Sequence, residues 1–222
     1  RVRFVYEAKN GNIAVGTTGG LLMFSSEFAA PENIAFRHFT RKTGNKFKLN
    51  SNDIHGMCYT QKGEMYLVSF GGGLNKVTEF DKQGFPLTFK AFTMKEGLPS
   101  DITLAISEDE FGKLWISSEN NLSKFDPENE VIETFAEVKR MMTLNNFSEA
   151  SNCKLRSGKL IFGNSNGIIS FSPRDIVNNS FKPNIAFSNL QLFNKNVEIG
   201  AENSPLTRDI NAINKLELTH NQ

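Results

Sequence analysis

The sequence predicts an all-β protein: about three and a half to four four-stranded antiparallel β-propeller blades, a fragment of a larger propeller, plus a short C-terminal β segment. A glycine-centred motif recurs in the chain, and each copy is followed by a short apolar run and a second turn. The glycines lie about 50 residues apart, and propeller blades repeat at about 40 to 50 residues. They are Gly11, Gly63, Gly112 and Gly158.

The apolar run after each glycine predicts a strand that is buried on both faces. A short apolar run bounded by turn residues is typical of such a strand, and an inner strand of a blade lies between two neighbouring blades. We expect these inner strands near residues 13–16, 65–69, 114–118 and 160–163.

Further strands follow in most repeats. The second turn is rich in Gly and Asn, which tolerate the positive φ that tight hairpins require. After the next strand, an outer strand of mixed aromatic and charged residues is expected at 36–39, 89–92 and 131–135. The fourth repeat has no such strand, so three blades should be complete and one should lack its last strand. Helix is expected only in short pieces, for example near residues 137–142.

Composition and charge narrow the class of protein. The 25 basic and 24 acidic residues leave a formal net charge of +1, which gives no electrostatic basis for nucleic-acid binding. No apolar run approaches the roughly 18 to 20 residues of a membrane helix. The N-terminus has neither an initiator Met nor a signal-peptide pattern, so we expect targeting and anchoring segments elsewhere in a longer protein. The 20 Phe residues suit packing between blade faces.

Residues that carry catalytic or metal chemistry are not grouped in the sequence. His38, His55 and His220 occur singly, without metal-ligand spacing. Neither a phosphate-binding loop nor a nucleophile elbow is present. We therefore predict no catalytic residue, no metal site and no cofactor.

Four other positions have a structural and a functional interpretation. The acidic stretch 108–110 is interpreted as a solvated turn, the alternative being a pair of glycosidase carboxylates. Trp115 is interpreted as a core residue, the alternative being a sugar-stacking surface. Asp53 and Asp101 precede strands and are interpreted as turn residues rather than calcium ligands.

The two cysteines are predicted not to form a disulfide bond with each other. Cys58 and Cys153 lie at the same distance before a repeat glycine, so they occupy equivalent positions two blades apart. That separation exceeds the Cα distance of about 7 Å that a disulfide allows. We expect two buried free thiols.

The third repeat carries the most specific motifs. It reads Glu-Gly-Leu-Pro-Ser-Asp-Ile over residues 96–102, Ile-Ser-Glu-Asp over 106–109, Gly-Lys-Leu-Trp-Ile-Ser over 112–117 and Leu-Ser-Lys-Phe-Asp-Pro over 122–127. These motifs resemble the two-component-regulator propeller repeat of bacterial sensor proteins. The chain departs from that pattern at Ser117-Ser118, where Gly-Thr is usual, and at Asn120-Asn121, where Gly-Gly is usual.

The C-terminal part strengthens this resemblance. Residues 182–194 resemble the opening of the immunoglobulin-like domain named for its three tyrosines, which follows the last blade in these sensors. Residues 204–206 and 215–222 also fit its first strands. The resemblance implies blade repeats over 1–181 and the start of the immunoglobulin-like domain over 182–222.

Membership of this family implies the periplasmic part of an inner-membrane hybrid two-component sensor of the Bacteroidetes type. Such sensors typically detect oligosaccharides, and a cytoplasmic histidine kinase carries the enzymatic activity, so this chain itself is not expected to be an enzyme. The implied partners are the remaining blades and the immunoglobulin-like domain of the same protein, an oligosaccharide, and a second copy in a full-length homodimer. The alternative is a purely structural or dimerising propeller scaffold without its own ligand site.

Ligand-binding residues are predicted on the loops that follow the inner strands, because the strands themselves are occupied with blade packing. Phe70 has a ring that can stack on a sugar face. Glu119 and Asn120 have groups that can hydrogen-bond sugar hydroxyls. The alternative is that these loops are hairpin turns selected for conformation alone.

Overall fold

The computed structural model describes residues 1–8, 10–42, 49–135, 146–176, 186–202 and 204–218. The chain divides into two compact units, residues 1–176 and residues 177–222. Within the described residues, no helix is long and apolar enough to cross a membrane.

The first unit contains four antiparallel sheets, which we number as blades 1 to 4. Blade 1 consists of β1 (Val2–Glu7), β2 (Asn12–Thr17), β3 (Gly20–Ser25) and β4 (Arg37–Phe39). Blade 2 consists of β5 (Ile54–Tyr59), β6 (Met65–Ser69), β7 (Gly73–Phe80) and β8 (Pro86–Phe92). Blade 3 consists of β9 (Thr103–Glu108), β10 (Leu114–Ser118), β11 (Leu122–Asp126) and β12 (Val131–Phe135). Blade 4 consists of β13 (Phe147–Lys154), β14 (Leu160–Asn164) and β15 (Gly167–Phe171).

The predicted fold class, all-β propeller blades, is confirmed. Three blades have four strands, and blade 4 has three strands among the described residues. Short 3-10 helices lie at Pro31–Asn33, Met94–Glu96, Pro173–Asp175 and Ile210–Ala212. The helical piece expected near 137–142 lies outside the described residues.

The strands of each blade follow one another outward from the centre of the unit. The first strands contact the first strands of neighbouring blades: β5 contacts β9, β9 contacts β13, and β1 contacts β5. The strands predicted from the apolar runs are the second in each sheet, which is why they are flanked by a strand on both sides. The first strands therefore line the centre, and the ends of these strands define its openings.

Three apolar cores join neighbouring blades. Each combines buried side chains of the two facing sheets with partly buried side chains that pack against them. Between blades 3 and 4, the rings of Phe135 and Phe171 pack on Trp115 at centroid distances of 5.1 and 4.7 Å. Trp115 is fully enclosed there, which confirms its interpretation as a core residue.

Blades 1 and 4 each have a face that lacks such a core. Among the described residues, no apolar cluster joins blade 4 to blade 1. Val5 of β1 is exposed, and so are Leu155 and Ile168 of blade 4. The second strands of blades 2 and 3 are buried at every position, whereas β14 is only half-buried at several of its residues.

Both cysteines are free, as predicted. Cys58 lies in β5, and burial raises the pKa of its thiol to about 12. The expectation of a buried thiol is wrong for Cys153, which is exposed. The reason is its position on β13, where most side chains face solvent.

The second unit contains a small hairpin. β16 (Gln191–Leu192) pairs antiparallel with β17 (Lys195–Asn196). Its turn residues Phe193 and Asn194 have positive φ angles of 52° and 62°. The assignment of residues 182–222 to the start of an immunoglobulin-like domain stays a prediction.

Candidate functional site

One end of the blades gathers the loops in which ligand-binding residues were predicted. We call this end the mouth: it holds the starts of the first strands and the loops after the second strands. The backbone N–H of Thr18 donates to the Arg1 carbonyl at 3.0 Å, and that of Phe70 donates to the Asp53 carbonyl at 2.9 Å. In blade 3 the Glu119 carbonyl accepts from the Phe147 N–H at 2.8 Å.

Each first strand has a β-bulge close to the mouth. The register shifts at Arg3 in β1, at His55 in β5 and at Leu104 in β9, where one extra residue opposes the second strand. In β13 the irregularity spans the residues between Phe147 and Asn152 and includes a left-handed Ala150, at φ 49°. Bulges re-aim side chains and increase strand twist, so the same device recurs around the centre.

The bulges bring charged residues from three blades together. Arg3 donates from Nε and Nη2 to the two carboxylate oxygens of Asp53, at 3.0 and 2.8 Å. Its Nη1 pairs with the Glu149 carboxylate. This fork geometry is the strong form of an Arg–carboxylate interaction. We call Arg3, Asp53, His55 and Glu149 the mouth cluster.

His55 is the most buried member of the mouth cluster, with no exposed side-chain surface. Its Nδ1 lies 3.1 Å from the Thr103 carbonyl oxygen, so this nitrogen carries the proton and donates to blade 3. Its Nε2 is buried and has no hydrogen-bond partner. The nearest carboxylate oxygens, from Asp53 and Glu149, lie 3.7 and 3.9 Å away.

Burial controls the protonation of His55. Desolvation lowers the pKa of His55 below its usual value, and this effect outweighs the opposing attraction of Asp53. Arg3 lowers the same pKa further. The neutral imidazole is therefore the form that the folded protein favours, and the remaining members of the mouth cluster carry one positive and two negative charges.

Phe70 lies directly over this cluster. Its ring centroid is 5.9 Å from that of His55, and 52% of its surface is exposed. The backbone of the loop is fixed, because the Phe70 carbonyl accepts a hydrogen bond from the Ser51 hydroxyl at 2.6 Å. Phe70 thus presents an aromatic face to solvent from a held position.

Glu119 and Asn120 lie on the corresponding loop of blade 3. Glu119 is exposed, and the Asn120 side-chain oxygen accepts from the Asn121 amide at 2.9 Å. No contact between either residue and Phe70 is found among the described residues. Just before them, the hydroxyls of Ser117 and Ser118 are buried without a hydrogen-bond partner. The predicted residues therefore share one end of the blades but do not form a single closed pocket.

The mouth cluster itself escaped the sequence analysis. Arg3 and Glu149 belong to no motif, and Asp53 was interpreted only as a turn residue. The signal that was available is position: Arg3, His55 and Glu149 all lie near the start of a first strand. Counted back from the repeat glycines, Arg3 and His55 both lie eight residues before the glycine and Glu149 lies nine residues before it.

The acidic stretch 108–110 has a structural role in the turn, but its interpretation as solvated is wrong for Glu108 and Asp109, which are buried. Asp109 accepts hydrogen bonds from the backbone of Phe111 and from the Trp115 indole, both at 2.8 Å. Glu108 accepts from the backbone N–H of Gln61 in blade 2. Their oxygens are used to hold turns and blades together.

Comparison with known proteins gives two kinds of match, while no protein-family profile matches the chain. In sequence, the chain is 26% identical over 117 residues to histidine kinase P4 of Formosa agariphila, a stretch that covers 53% of this chain and 8% of that protein. In structure, it resembles the extracellular domains of two hybrid two-component systems of B. thetaiotaomicron. Their TM-scores are 0.61 and 0.52 and their sequence identities 19% and 20%.

These matches define the class of protein. The structural matches cover 87% and 90% of this chain but 26% and 33% of the two solved chains, and at these identities they show the fold. The chain is thus a β-propeller region that spans a small part of the proteins it matches. More particularly, it is similar to a histidine kinase in sequence and to extracellular domains of hybrid two-component systems in fold, which confirms the resemblance to the propellers of two-component systems.

Proposed function

We propose that this chain is the periplasmic sensor segment of a hybrid two-component system, which recognises an oligosaccharide and relays that signal to a histidine kinase in the same protein. The observation that carries the proposal is the sequence similarity to a histidine kinase. That similarity falls on a chain with the fold of the extracellular domains of hybrid systems. A propeller fold by itself supports many functions, so the sequence match is the observation that supports this class.

The mouth is the place where we expect the oligosaccharide to bind. The exposed ring of Phe70 suits the apolar face of a sugar ring, and the exposed carboxylate of Glu119 can accept hydrogen bonds from hydroxyls. Both residues lie on loops that a rigid scaffold positions, which is typical of binding residues. The first strands behind these loops come from all four blades, so a ligand here is in a position to bias how the blades meet.

The same proposal includes partners outside the chain. The uncovered faces of blades 1 and 4 expose apolar side chains that neighbouring blades cover elsewhere in the unit. The relative with which this chain shares sequence is far longer than the matched part. We propose that further blades of the same protein cover these faces, that an immunoglobulin-like domain follows, and that the full-length protein is a homodimer anchored in the inner membrane.

Calorimetry of the complete extracellular region with neutral oligosaccharides of four to six sugars tests the ligand proposal. The probes are xylo-, manno-, malto- and fructo-oligosaccharides. We expect one series to bind, and Phe70→Ala and Glu119→Ala to weaken binding by about tenfold, equivalent to about 1.4 kcal/mol. Phe36→Ala is the matched control, because Phe36 is similarly exposed on blade 1 but lies away from the mouth. If a sugar binds and both mouth variants bind it like the parent, the site lies elsewhere.

A structural scaffold is the second candidate, and one observation favours it. The Arg3 guanidinium is engaged with carboxylates of Asp53 and Glu149, so the mouth cluster ties blades 1, 2 and 4 together without a ligand. For a pure scaffold, Arg3→Gln lowers the unfolding temperature and weakens the full-length dimer in sedimentation velocity, and none of the oligosaccharides binds. Binding of an oligosaccharide that Phe70→Ala removes contradicts the scaffold.

A further inference from the structure

Blade 1 has a longer connection between its third and fourth strands than blades 2 and 3. Its β3–β4 loop runs over residues 26–36, whereas the β7–β8 loop covers 81–85 and the β11–β12 loop covers 127–130. Compact surface loops of the longer kind are frequently functional. Since blades 2 and 3 form with the short connection, the additional residues of blade 1 are not required to build a blade.

The long loop forms one wall of a cleft between blades 1 and 2. The cleft has a volume of about 670 Å³, which is within the range of small-molecule sites. The turn between β1 and β2, residues 10–12, also lines it, so the cleft lies at the end of the blades opposite the mouth. Blade 2 closes the cleft with Gln83 and Phe85 of its short loop.

The blade 2 side of the cleft is held in place by hydrogen bonds. The Asp81 carboxylate accepts from the backbone N–H groups of Gln83 and Phe85, at 2.8 and 3.0 Å. The buried side chain of Asn12 in blade 1 donates to the Gln83 carbonyl at 2.9 Å. A wall that is fixed before binding lowers the entropy cost of binding a ligand.

This side of the cleft already holds an organic cation of the protein itself. The Arg37 guanidinium carbon lies 4.2 Å from the ring centroid of Phe85. The guanidinium also pairs with the Asp81 carboxylate and donates to the Gln83 side chain. An aromatic face and a carboxylate therefore bind a cation together here. Because Asp81 compensates its charge, Arg37 adds no net positive charge to the cleft.

The loop side of the cleft has the same two kinds of group. Phe28 and Phe36 line the cleft and pack on the ring of Phe24 at centroid distances of 6.4 and 5.1 Å. They remain 44% and 57% exposed. Glu27 belongs to the same lining, and among the described residues its carboxylate has no ion-pair partner. The loop carries a second carboxylate, Glu32, and neither Lys nor Arg.

We propose that this cleft binds a small organic cation with an alkylated ammonium head. The rings of Phe28 and Phe36 contact the alkyl groups of the head, and the Glu27 carboxylate compensates its charge. An alkylated head suits exposed rings better than a bare ammonium, which is strongly hydrated. The cleft also has room for a polar tail, and the Asn33 amide in its lining has no hydrogen-bond partner among the described residues.

This inference does not rest on the proposed recognition of an oligosaccharide. The two sites lie at opposite ends of the blades, and their ligands differ in charge. A neutral oligosaccharide lacks the positive charge that Glu27 recognises, and a small alkylammonium ion lacks the sugar ring that Phe70 is proposed to contact. Failure of either proposal therefore leaves the other intact.

A nuclear magnetic resonance titration of the isotopically labelled 222-residue chain with choline chloride tests the proposal. We expect saturable shifts of backbone amides at residues 26–36 and 83–85, with a dissociation constant of about 1 mM. Dimethylbutanol, in which a carbon atom replaces the charged nitrogen of choline, should bind at least about tenfold more weakly. Sodium chloride at the same concentrations should give no saturable shift.

Two pairs of variants locate the site. Glu27→Gln and Phe36→Leu should each weaken choline binding by about fivefold. The matched controls are Glu32→Gln, on the same loop but outside the lining, and Phe111→Leu, at a similarly exposed ring on blade 3. Both controls should bind choline like the parent. The amide spectrum of each variant also shows whether it is folded.

Three results would overturn the proposal. The first is the absence of a saturable shift at residues 26–36 up to about 20 mM choline. The second is equally tight binding of dimethylbutanol, which would make the cleft an apolar site without preference for a cation. The third is equal weakening by Glu27→Gln and Glu32→Gln, which would attribute binding to the general negative charge of the loop.

Discussion

Asp109 is buried in the third blade and accepts three hydrogen bonds from its neighbours. Its carboxylate accepts hydrogen bonds from the backbone of Phe111 and Lys113, at 2.8 and 2.9 Å, and from the Trp115 indole at 2.8 Å. It therefore fixes the turn between β9 and β10 and the orientation of the one Trp at the same time. A buried carboxylate with three donors is stable, because each donor compensates part of its lost hydration.

Asp109→Ala should destabilise the chain by about 3 kcal/mol, because it leaves buried donors without an acceptor. Urea unfolding followed by the fluorescence of the single Trp measures both the free energy and the change around the indole. The control is Glu128→Ala, which removes an exposed ion pair with Lys62 and should change stability by less than about 0.5 kcal/mol. Equal losses of unfolding free energy in the two variants would show that the buried carboxylate contributes no more to stability than an exposed ion pair.

His55 should make the stability of the chain depend on pH. Its pKa is lowered in the folded protein, so between the folded pKa and the ordinary value of about 6.5 the unfolded state binds a proton that the folded state does not. Acidification from pH 7 to pH 5 therefore lowers the free energy of unfolding. Arg3, Asp53, Glu149 and the Thr103 carbonyl all face the ring, and burial outweighs the carboxylates among them.

Thermal unfolding of the parent and of His55→Asn between pH 5 and 7 checks this expectation. Asn keeps a donor for the Thr103 carbonyl but does not titrate, so the variant should lose the part of the pH slope that His55 contributes. The control variant is His38→Asn, which replaces an exposed histidine outside the mouth cluster. A parent whose stability rises on acidification over this range would contradict the assignment of a neutral His55.

At the scale of strands and turns, local patterns predicted most of the fold. The apolar runs after the repeat glycines form β2, β6, β10 and β14. They could be predicted because a strand that is buried on both faces consists of consecutive apolar residues. The residues of the mouth cluster show no such local sequence pattern. Arg3 meets Asp53 and Glu149 only through the arrangement of blades, and partners that distant in sequence cannot be paired from spacing alone.

The turn between β6 and β7 shows why blade 2 needs glycine at one of its positions. Gly73 has φ +64°, and a Cβ there would overlap the carbonyl oxygen of Phe92 on the outer strand. Gly71 in the same turn has φ +70° but open space around it. Both glycines have the strained left-handed backbone, but only Gly73 also lies close to a neighbouring strand. Substitutions at the two positions therefore distinguish the cost of the backbone conformation from the cost of the close approach.

Gly73→Ala should therefore destabilise the chain more than Gly71→Ala. We expect about 1 kcal/mol for Gly71→Ala, from the left-handed conformation alone, and at least about 3 kcal/mol for Gly73→Ala. Chemical denaturation of the two single variants measures the difference. Similar values for both variants would mean that the β7–β8 pair shifts to accept the methyl group.

At the scale of the whole unit, blade faces are stable when another blade covers them. The cores between blades 1 and 2, 2 and 3, and 3 and 4 each bury apolar side chains from two sheets. Repeat architectures gain most of their stability from such nearest-neighbour interfaces. The outward faces of blades 1 and 4 lack this contribution among the described residues, and they retain exposed apolar side chains such as Val5 and Ile168.

The chain of 222 residues on its own should therefore associate through these faces. Exposed apolar patches and open sheet edges favour contact between molecules, and sedimentation velocity should show a sedimentation coefficient that rises with protein concentration. Introducing a charge on each face with Val5→Lys and Ile168→Lys should give a monomer, because two buried charges oppose any pairing of these faces. The matched control, Phe111→Lys, places a charge at an exposed apolar residue on blade 3 and should leave the association intact. If the parent chain sediments as a compact monomer at every concentration, the faces of blades 1 and 4 cover each other. Further blades are then not needed to cover them.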